Sequence, residues 1–248
     1  MQAILALLFA AAFWAGAQNA LAGGGSFITL PVLMLSGLDA RAANITSTIA
    51  LFPGQLTTGW VGRDNVASAG GQPFWMLVII SLAGGAFGAA LLLATPPAFF
   101  ARLLPYLVLF ATAVFAWGSF LRRPTEAVRP IGRTPTALIQ FAISIYGGYF
   151  GGGIGFLMLA GLTLAGLAVR SAGATKNVLA GMMNASAVAI FIFTPHLDWR
   201  RIAVVAVGAI CGGILGGLML KRVNETALRI IVVAIGLALT VGLFMRAG

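Results

Sequence analysis

The sequence predicts an all-α polytopic membrane protein, with about eight hydrophobic segments arranged as two homologous repeats. Of its 248 residues 60% are hydrophobic and only 8% are charged, whereas soluble domains carry about 25% charged residues. Each spanning helix needs about 20 apolar residues, and the apolar stretches leave room only for short connections. The composition excludes a soluble enzyme, a large extramembrane domain and a disordered chain.

The apolar stretches come in two sets of four. In the first half of the chain they cover residues 3–36, 44–60, 74–94 and 103–121, and in the second half 137–165, 174–195, 202–220 and 228–245. Several local motifs also recur at a nearly constant spacing of 128 or 129 positions. They are Gly23-Gly24-Gly25 with Gly151-Gly152-Gly153, then Leu38, Arg41 and Thr46 with Leu167, Arg170 and Thr175. A constant spacing over many residues indicates a duplication.

The duplication divides the chain into residues 1–121, a linker at 122–136 and residues 137–248. The linker holds the densest charge in the chain, and its stretch 122–133 contains two prolines, Pro124 and Pro130. Such a segment belongs in water, and we expect it on the cytoplasmic side.

The first stretch of each half is too long for one span. Residues 3–36 would form a helix about 50 Å long, against a hydrocarbon core of about 30 Å. The triple glycine lies inside this stretch and favours an unwound or re-entrant break, and Pro31 predicts a second break. Broken helices at matching positions of two halves indicate a transporter binding site.

The distribution of positive charge favours inverted repeats over eight plain spans. Eight plain spans place 7 of the 15 basic residues on one face, which is no bias. If each broken stretch returns to its own side, the split becomes 10 to 5 and obeys the positive-inside rule. Both termini then lie outside, and the parallel arrangement is the alternative.

The protein is expected in the cell (inner) membrane as a multi-pass chain. Residues 2–22 contain no Lys or Arg, so the N-terminus lacks the basic region of a signal peptide and is interpreted as mature protein. The net charge of +10 comes from singly scattered residues rather than from a basic patch. We therefore expect the lipid bilayer as a partner and no nucleic acid.

The apolar stretches contain no acid or histidine that could serve in catalysis. The five acids all fall between the apolar stretches, and the lone histidine, His196, follows Pro195 at the end of one. Without a carboxylate pair or a metal-ligand cluster, no enzymatic activity, metal or other cofactor is expected.

Neutral polar groups and one cation collect near the two predicted breaks, and this chemistry suits a small anion. Hydroxyls, amides and free N–H groups at helix starts attract negative charge. The predicted substrate-binding residues are Asn19, Gly23, Gly24, Gly25, Ser26, Thr46 and Ser47 in the first half, and Gly151, Gly152, Gly153, Thr175, Lys176, Asn177 and Asn184 in the second.

Structural roles compete with this interpretation. Thr46 and Thr175 could be helix N-caps, Lys176 could be an interfacial anchor, and Arg41 and Arg170 are expected to be topology charges. The Gly84/Gly88 and Gly212/Gly216 pairs favour close helix packing within one chain, with a homodimer face as the alternative.

At these residues the chain resembles the sulfite exporter TauE/SafE family. The resemblance rests on residues 22–27 with Pro31, on 42–48, and on the second copies at 151–155 and 173–177, where Leu159 replaces the proline. It implies transport of small sulfur-containing or carboxylate anions, such as sulfite or organosulfonates. The expected function is therefore oxyanion transport by alternating access between the repeats. The alternatives are an anion channel and a non-transporting membrane subunit.

Overall fold

A computed structural model describes residues 2–21, 24–121, 130–219 and 225–247. Within these ranges the chain forms α-helices and no strand. The helices are α1 (Gln2–Leu21), α2 (Ser26–Leu35), α3 (Ala40–Gly62), α4 (Phe74–Ala94), α5 (Pro97–Ala116), α6 (Arg133–Tyr149), α7 (Ile154–Leu164), α8 (Val169–Phe191), α9 (Trp199–Met219) and α10 (Glu225–Ala247). A short 3-10 turn, Arg63–Asn65, follows α3, and a π-helical turn, Trp117–Leu121, extends α5.

Three helical segments of the described chain are long and apolar enough to cross a membrane: Gln2–Asn19, Phe74–Ala94 and Pro97–Phe120. Shorter apolar helices occur at Ser26–Leu35, Ile154–Leu164 and Arg229–Met245. The expectation of an all-helical membrane protein is thus supported, while the predicted number of eight spans, the repeat boundaries and their orientation stay predictions.

The long first stretch of each half is divided at its glycines, as predicted. The first becomes α1 and α2, and the second becomes α6 and α7. The prediction of a second break at Pro31 is wrong, because α2 continues through this residue. A proline removes only one backbone hydrogen bond, and one lost bond does not end this short, buried helix.

The helices of the two halves pack in a reciprocal pattern. Helix α1 packs against α9, and α6 packs against α4. Likewise α3 packs against α9, α8 packs against α4, and α3 and α8 contact each other between these pairs. The first helix of each half therefore packs against a helix of the other half. This packing brings α3 and α8 together in the middle of the molecule.

Glycines allow the two outer pairs to approach closely, as the small-residue spacings predicted. A Cβ atom on Gly88 of α4 would lie 2.1 Å from the carbonyl oxygen of Ile145 on α6. A Cβ atom on Gly212 of α9 would lie 1.8 Å from the carbonyl oxygen of Phe13 on α1. These glycines are therefore used inside the chain rather than at a dimer face.

Candidate functional site

The two breaks leave two helix N-termini without side-chain caps. At the first break, Gly24 has φ +82° and Gly25 is the cap residue of α2. At the second, Gly151 and Gly153 have φ of +80° and +72°, and Gly153 caps α7. Left-handed backbone of this kind favours glycine, so the glycine runs account for both sharp turns.

Side chains of α1 hold the first break in place. The amide nitrogen of Gln18 donates to the Gly24 carbonyl oxygen at 3.3 Å, and Asn19 Oδ1 accepts from the Gly25 N–H at 3.5 Å. Behind the break, Thr29 on α2 and Ser47 on α3 share a hydroxyl hydrogen bond of 2.6 Å. These contacts fix the N-terminus of α2 against α3.

The N-termini of α2 and α7 border one cavity, together with the middle of α3 and α8. Its volume is about 90 Å³. Because a buried water needs roughly 10–15 Å³ on such a measure, there is room for an ion of a few heavy atoms. The lining residues are Asn19, Gly24, Ser26, Ser47, Thr48, Leu51, Gln55, Phe150, Gly151, Gly153, Ile154, Gly155, Lys176, Asn177, Ala180 and Asn184.

Positive charge in this cavity is not balanced by a carboxylate. Lys176 is the charged residue of the lining, and a Cβ atom on Gly155 would lie 3.6 Å from its Nζ. The ammonium group thus lies beside the first turn of α7, where the helix dipole is also positive. Two positive ends facing one space favour an anion between them.

The described acids are engaged elsewhere. Asp39 accepts from the N–H groups of Arg41 and Ala42 at 3.0 Å and caps α3. Asp64 lies 3.8 Å from Arg63, and Asp198 pairs with Arg201 at 3.2 Å. No three side chains of His, Cys, Asp or Glu come together in the ranges that the structure describes.

Several hydrogen-bond donors in the cavity have no partner among the described residues. They are the side chains of Ser26, Lys176 and Asn177 and the backbone N–H groups of Ile154 and Gly155. A ligand with several acceptor oxygens would satisfy this set, and the Lys176 ammonium and the two backbone N–H groups can act only as donors.

Lining residues of α3 and α8 are related by the spacing of the predicted duplication. Gln55 accepts from the amide nitrogen of Asn184, and these residues are 129 positions apart. The same spacing relates Ser47 to Lys176, Thr48 to Asn177 and Leu51 to Ala180, all of which line the cavity. The two helices run in opposite directions, because Gly59 of α3 contacts Asn177 and Val178 near the start of α8.

Most of the residues predicted to bind substrate line this one cavity. They are Asn19, Gly24, Ser26, Ser47, Gly151, Gly153, Lys176, Asn177 and Asn184. Four others are placed outside the lining, namely Gly25, Thr46, Gly152 and Thr175, and Gly23 lies outside the described residues.

Thr46 and Thr175 are not at helix starts, contrary to the expectation from the apolar stretches. Helix α3 begins at Ala40 and α8 at Val169, so both threonines lie almost two turns inside their helices. Both are buried, and Thr175 accepts from the N–H of Ala67 at 3.0 Å. The unpartnered backbone N–H groups named at the cavity come from the first turn of α7 instead.

Sequence reasoning missed seven lining residues: Thr48, Leu51, Gln55, Phe150, Ile154, Gly155 and Ala180. The spacing of the duplication was a usable signal for two of them. It relates Gln55 to Asn184 and Thr48 to Asn177, both of which were among the predicted binding residues.

The fold and the cavity define a helical membrane protein with a central site suited to anions. The family model "Sulfite exporter TauE/SafE" matches residues 8–243. The chain therefore belongs to the sulfite exporter TauE/SafE family of membrane transporters. The family resemblance seen in the sequence is confirmed.

Curated relatives cover almost the whole chain. A probable membrane transporter protein of Haemophilus influenzae is 28% identical over 96% of this chain and 93% of its own length. The probable membrane transporter protein ORF9 of a Sinorhizobium species is 28% identical over 97% and 92%. The probable membrane transporter protein YfcA of Escherichia coli K12 is 27% identical over 94% and 86%. No solved structure matches the chain at a significant level.

Proposed function

We propose that the protein transports a small oxyanion, such as sulfite or a small sulfonate, across the inner membrane through the central cavity. The observation that carries the proposal is the juxtaposition of Lys176 with the uncapped N-terminus of α7, in a cavity without a described carboxylate. The family and the names of the relatives support transport, and the donors of the cavity favour an anionic substrate.

The correspondence between α3 and α8 supports a mechanism of alternating access. In an inverted duplication, one repeat adopts the conformation of the other when the carrier changes its open side. If two corresponding residues contact each other, the exchange of conformations leaves the same two residues in contact. The Gln55–Asn184 hydrogen bond is such a contact, so we place the pivot of the motion there.

Chemical cross-linking tests the pivot. A short bifunctional thiol reagent joining cysteines at positions 55 and 184, with Cys211 replaced by alanine, should leave the change between the two open states intact. This change is measured by the accessibility of the cavity from each side rather than by flux, because both residues line the cavity. Joining cysteines at 59 and 178, which contact each other away from the pivot, should block the change. Equal loss of the change from both links would contradict a pivot at Gln55 and Asn184.

The direct test of the function is flux into liposomes that contain the purified protein. We expect saturable uptake of sulfite or a small sulfonate, and stimulation by the same anion on the opposite side. Chloride should be a poor substrate, because one atom cannot satisfy donors that converge from two helix ends. A conductance without saturation would favour a channel, and absence of flux for every tested oxyanion would refute the proposal.

A further inference from the structure

A second cavity lies at the end of α3 and α8 where the chain enters α3 and leaves α8. It has a volume of about 740 Å³. Its walls are mainly apolar side chains such as Leu93, Ile190 and Phe193, and its polar groups are Arg41, Thr194 and His196. None of the residues lining it is acidic.

The guanidinium group of Arg41 is held in a defined position. Its Nη1 donates to the carbonyl oxygens of Leu93 at 3.2 Å and Thr95 at 2.9 Å, which closes the C-terminus of α4. The remaining N–H groups on Nε and Nη2 have no partner among the described residues. Because the guanidinium carries five donors in a fixed plane, three are left for a ligand.

Two further polar groups line the same cavity as Arg41. The hydroxyl oxygen of Thr194 is buried and has no hydrogen-bond partner in the described chain. His196 is held in the left-handed region at φ +64° and is exposed. The nearby acids have partners of their own, since Asp39 accepts from the backbone N–H groups of Arg41 and Ala42 and Asp198 pairs with Arg201.

This cavity lies in line with the central one. Arg41 and Ser47 are six residues apart on α3, and Ile190 and Asn184 are six apart on α8. At 1.5 Å per residue this is about 9 Å along each helix. The same two helices therefore connect a peripheral cation with the central anion site.

We propose that Arg41, with Thr194 and His196, forms a peripheral site that binds the transported oxyanion before or after it occupies the central cavity. The inference rests on the proposed function and extends it, because it assigns the pathway a second binding step. Arg41 then contributes to anion capture in addition to closing α4.

The test is the concentration dependence of sulfite flux in liposomes made only of phosphatidylcholine. Arg41→Gln should raise the half-saturating concentration roughly 3- to 10-fold, which corresponds to one lost hydrogen bond in a wet site, and should keep the maximal rate. Arg41→Lys should recover part of the loss. Arg102→Gln, which removes an exposed arginine of α5, is the matched control and should behave as wild type.

Three outcomes overturn the peripheral site. In the first, Arg41→Gln and Arg102→Gln give the same kinetics. In the second, Arg41→Gln lowers only the maximal rate, as a purely structural role predicts. In the third, the Arg41→Gln defect appears only when anionic lipid is added, which assigns the cavity to a lipid headgroup.

A binding measurement separates this inference from transport itself. Lys176→Met removes the central charge and weakens the central site, so sulfite that still stabilises this variant thermally in detergent, at concentrations that saturate only the wild-type central site, binds elsewhere. The double variant Lys176→Met/Arg41→Gln should lose that residual stabilisation. Loss of the residual stabilisation in the double variant supports the peripheral site, even if wild-type protein shows no flux. Stabilisation that persists in the double variant refutes the peripheral site.

Discussion

Replacing Lys176 by methionine removes the cation from the central cavity while keeping most of the length of its side chain. The ammonium group has no described partner and lies against the first turn of α7. In the loaded cavity it would donate a charge-assisted hydrogen bond to the oxyanion, worth about 1.5–3 kcal/mol. Since about 1.4 kcal/mol is a factor of ten, the half-saturating sulfite concentration should rise about 10- to 150-fold.

The same substitution should stabilise the empty protein. An uncompensated charge in a protein interior costs free energy of folding, and here it also faces the positive end of the α7 dipole. Lys176→Met removes both costs, and each kcal/mol gained raises the melting temperature by about 2–4 °C for a chain of this length. Sulfite should stabilise wild-type protein strongly and the variant only weakly.

The matched control is Arg170→Met, which deletes an exposed cation two turns earlier on α8. Flux and thermal unfolding are measured for both variants in the same lipid and detergent. If both variants lower sulfite affinity equally, the effect is a general loss of positive charge. If Lys176→Met keeps wild-type affinity, Lys176 does not bind the anion and the assignment of the cavity fails.

Two further predictions follow from the packing and from the duplication. Gly88→Ala should lower the melting temperature, because the new Cβ would lie 2.1 Å from the Ile145 carbonyl oxygen and overpacking costs about 1–3 kcal/mol; Gly242→Ala, with no atom within 4 Å, should not. Moving the charge to its corresponding position, in the double variant Lys176→Ser/Ser47→Lys, should restore part of the sulfite flux that Lys176→Ser loses. A double variant that folds but transports no better than the single one would argue against the correspondence of Ser47 and Lys176.

Local sequence signals predicted the broken helices because a run of glycines acts on its own backbone. Gly24, Gly151 and Gly153 adopt the left-handed conformation in which glycine is favoured. Pro31 was a weaker signal, because the loss of one hydrogen bond can be tolerated within a packed helix. The true starts of α3 and α8 were missed because their first residues, including Arg41 and Arg170, are polar or small and precede the apolar stretch.

Part of the cavity lining was predicted, again because the glycine breaks are a local signal. Residues close to the glycine breaks, such as Asn19, Ser26 and Lys176, could be expected near one another once the breaks were recognised. The local sequence did not indicate Gln55, because it follows Pro53-Gly54 and resembles the end of a helix, and its spacing of 129 positions from Asn184 was the available signal. Helix α3 instead continues through this dipeptide to Gly62, and only the crossing of α3 with α8 brings Gln55 to Asn184.

At the central cavity, the two halves share the glycine breaks but not the positive charge. Both halves supply glycines at a break and a helix N-terminus without a side-chain cap. A cation is needed from only one half, since the two halves border a single cavity of about 90 Å³. A second lysine at Ser47 would repel the first across this small space and would hold a singly charged anion too tightly for release. One lysine and one serine at corresponding positions of the lining therefore fit the proposed carrier, which must bind an oxyanion and then release it.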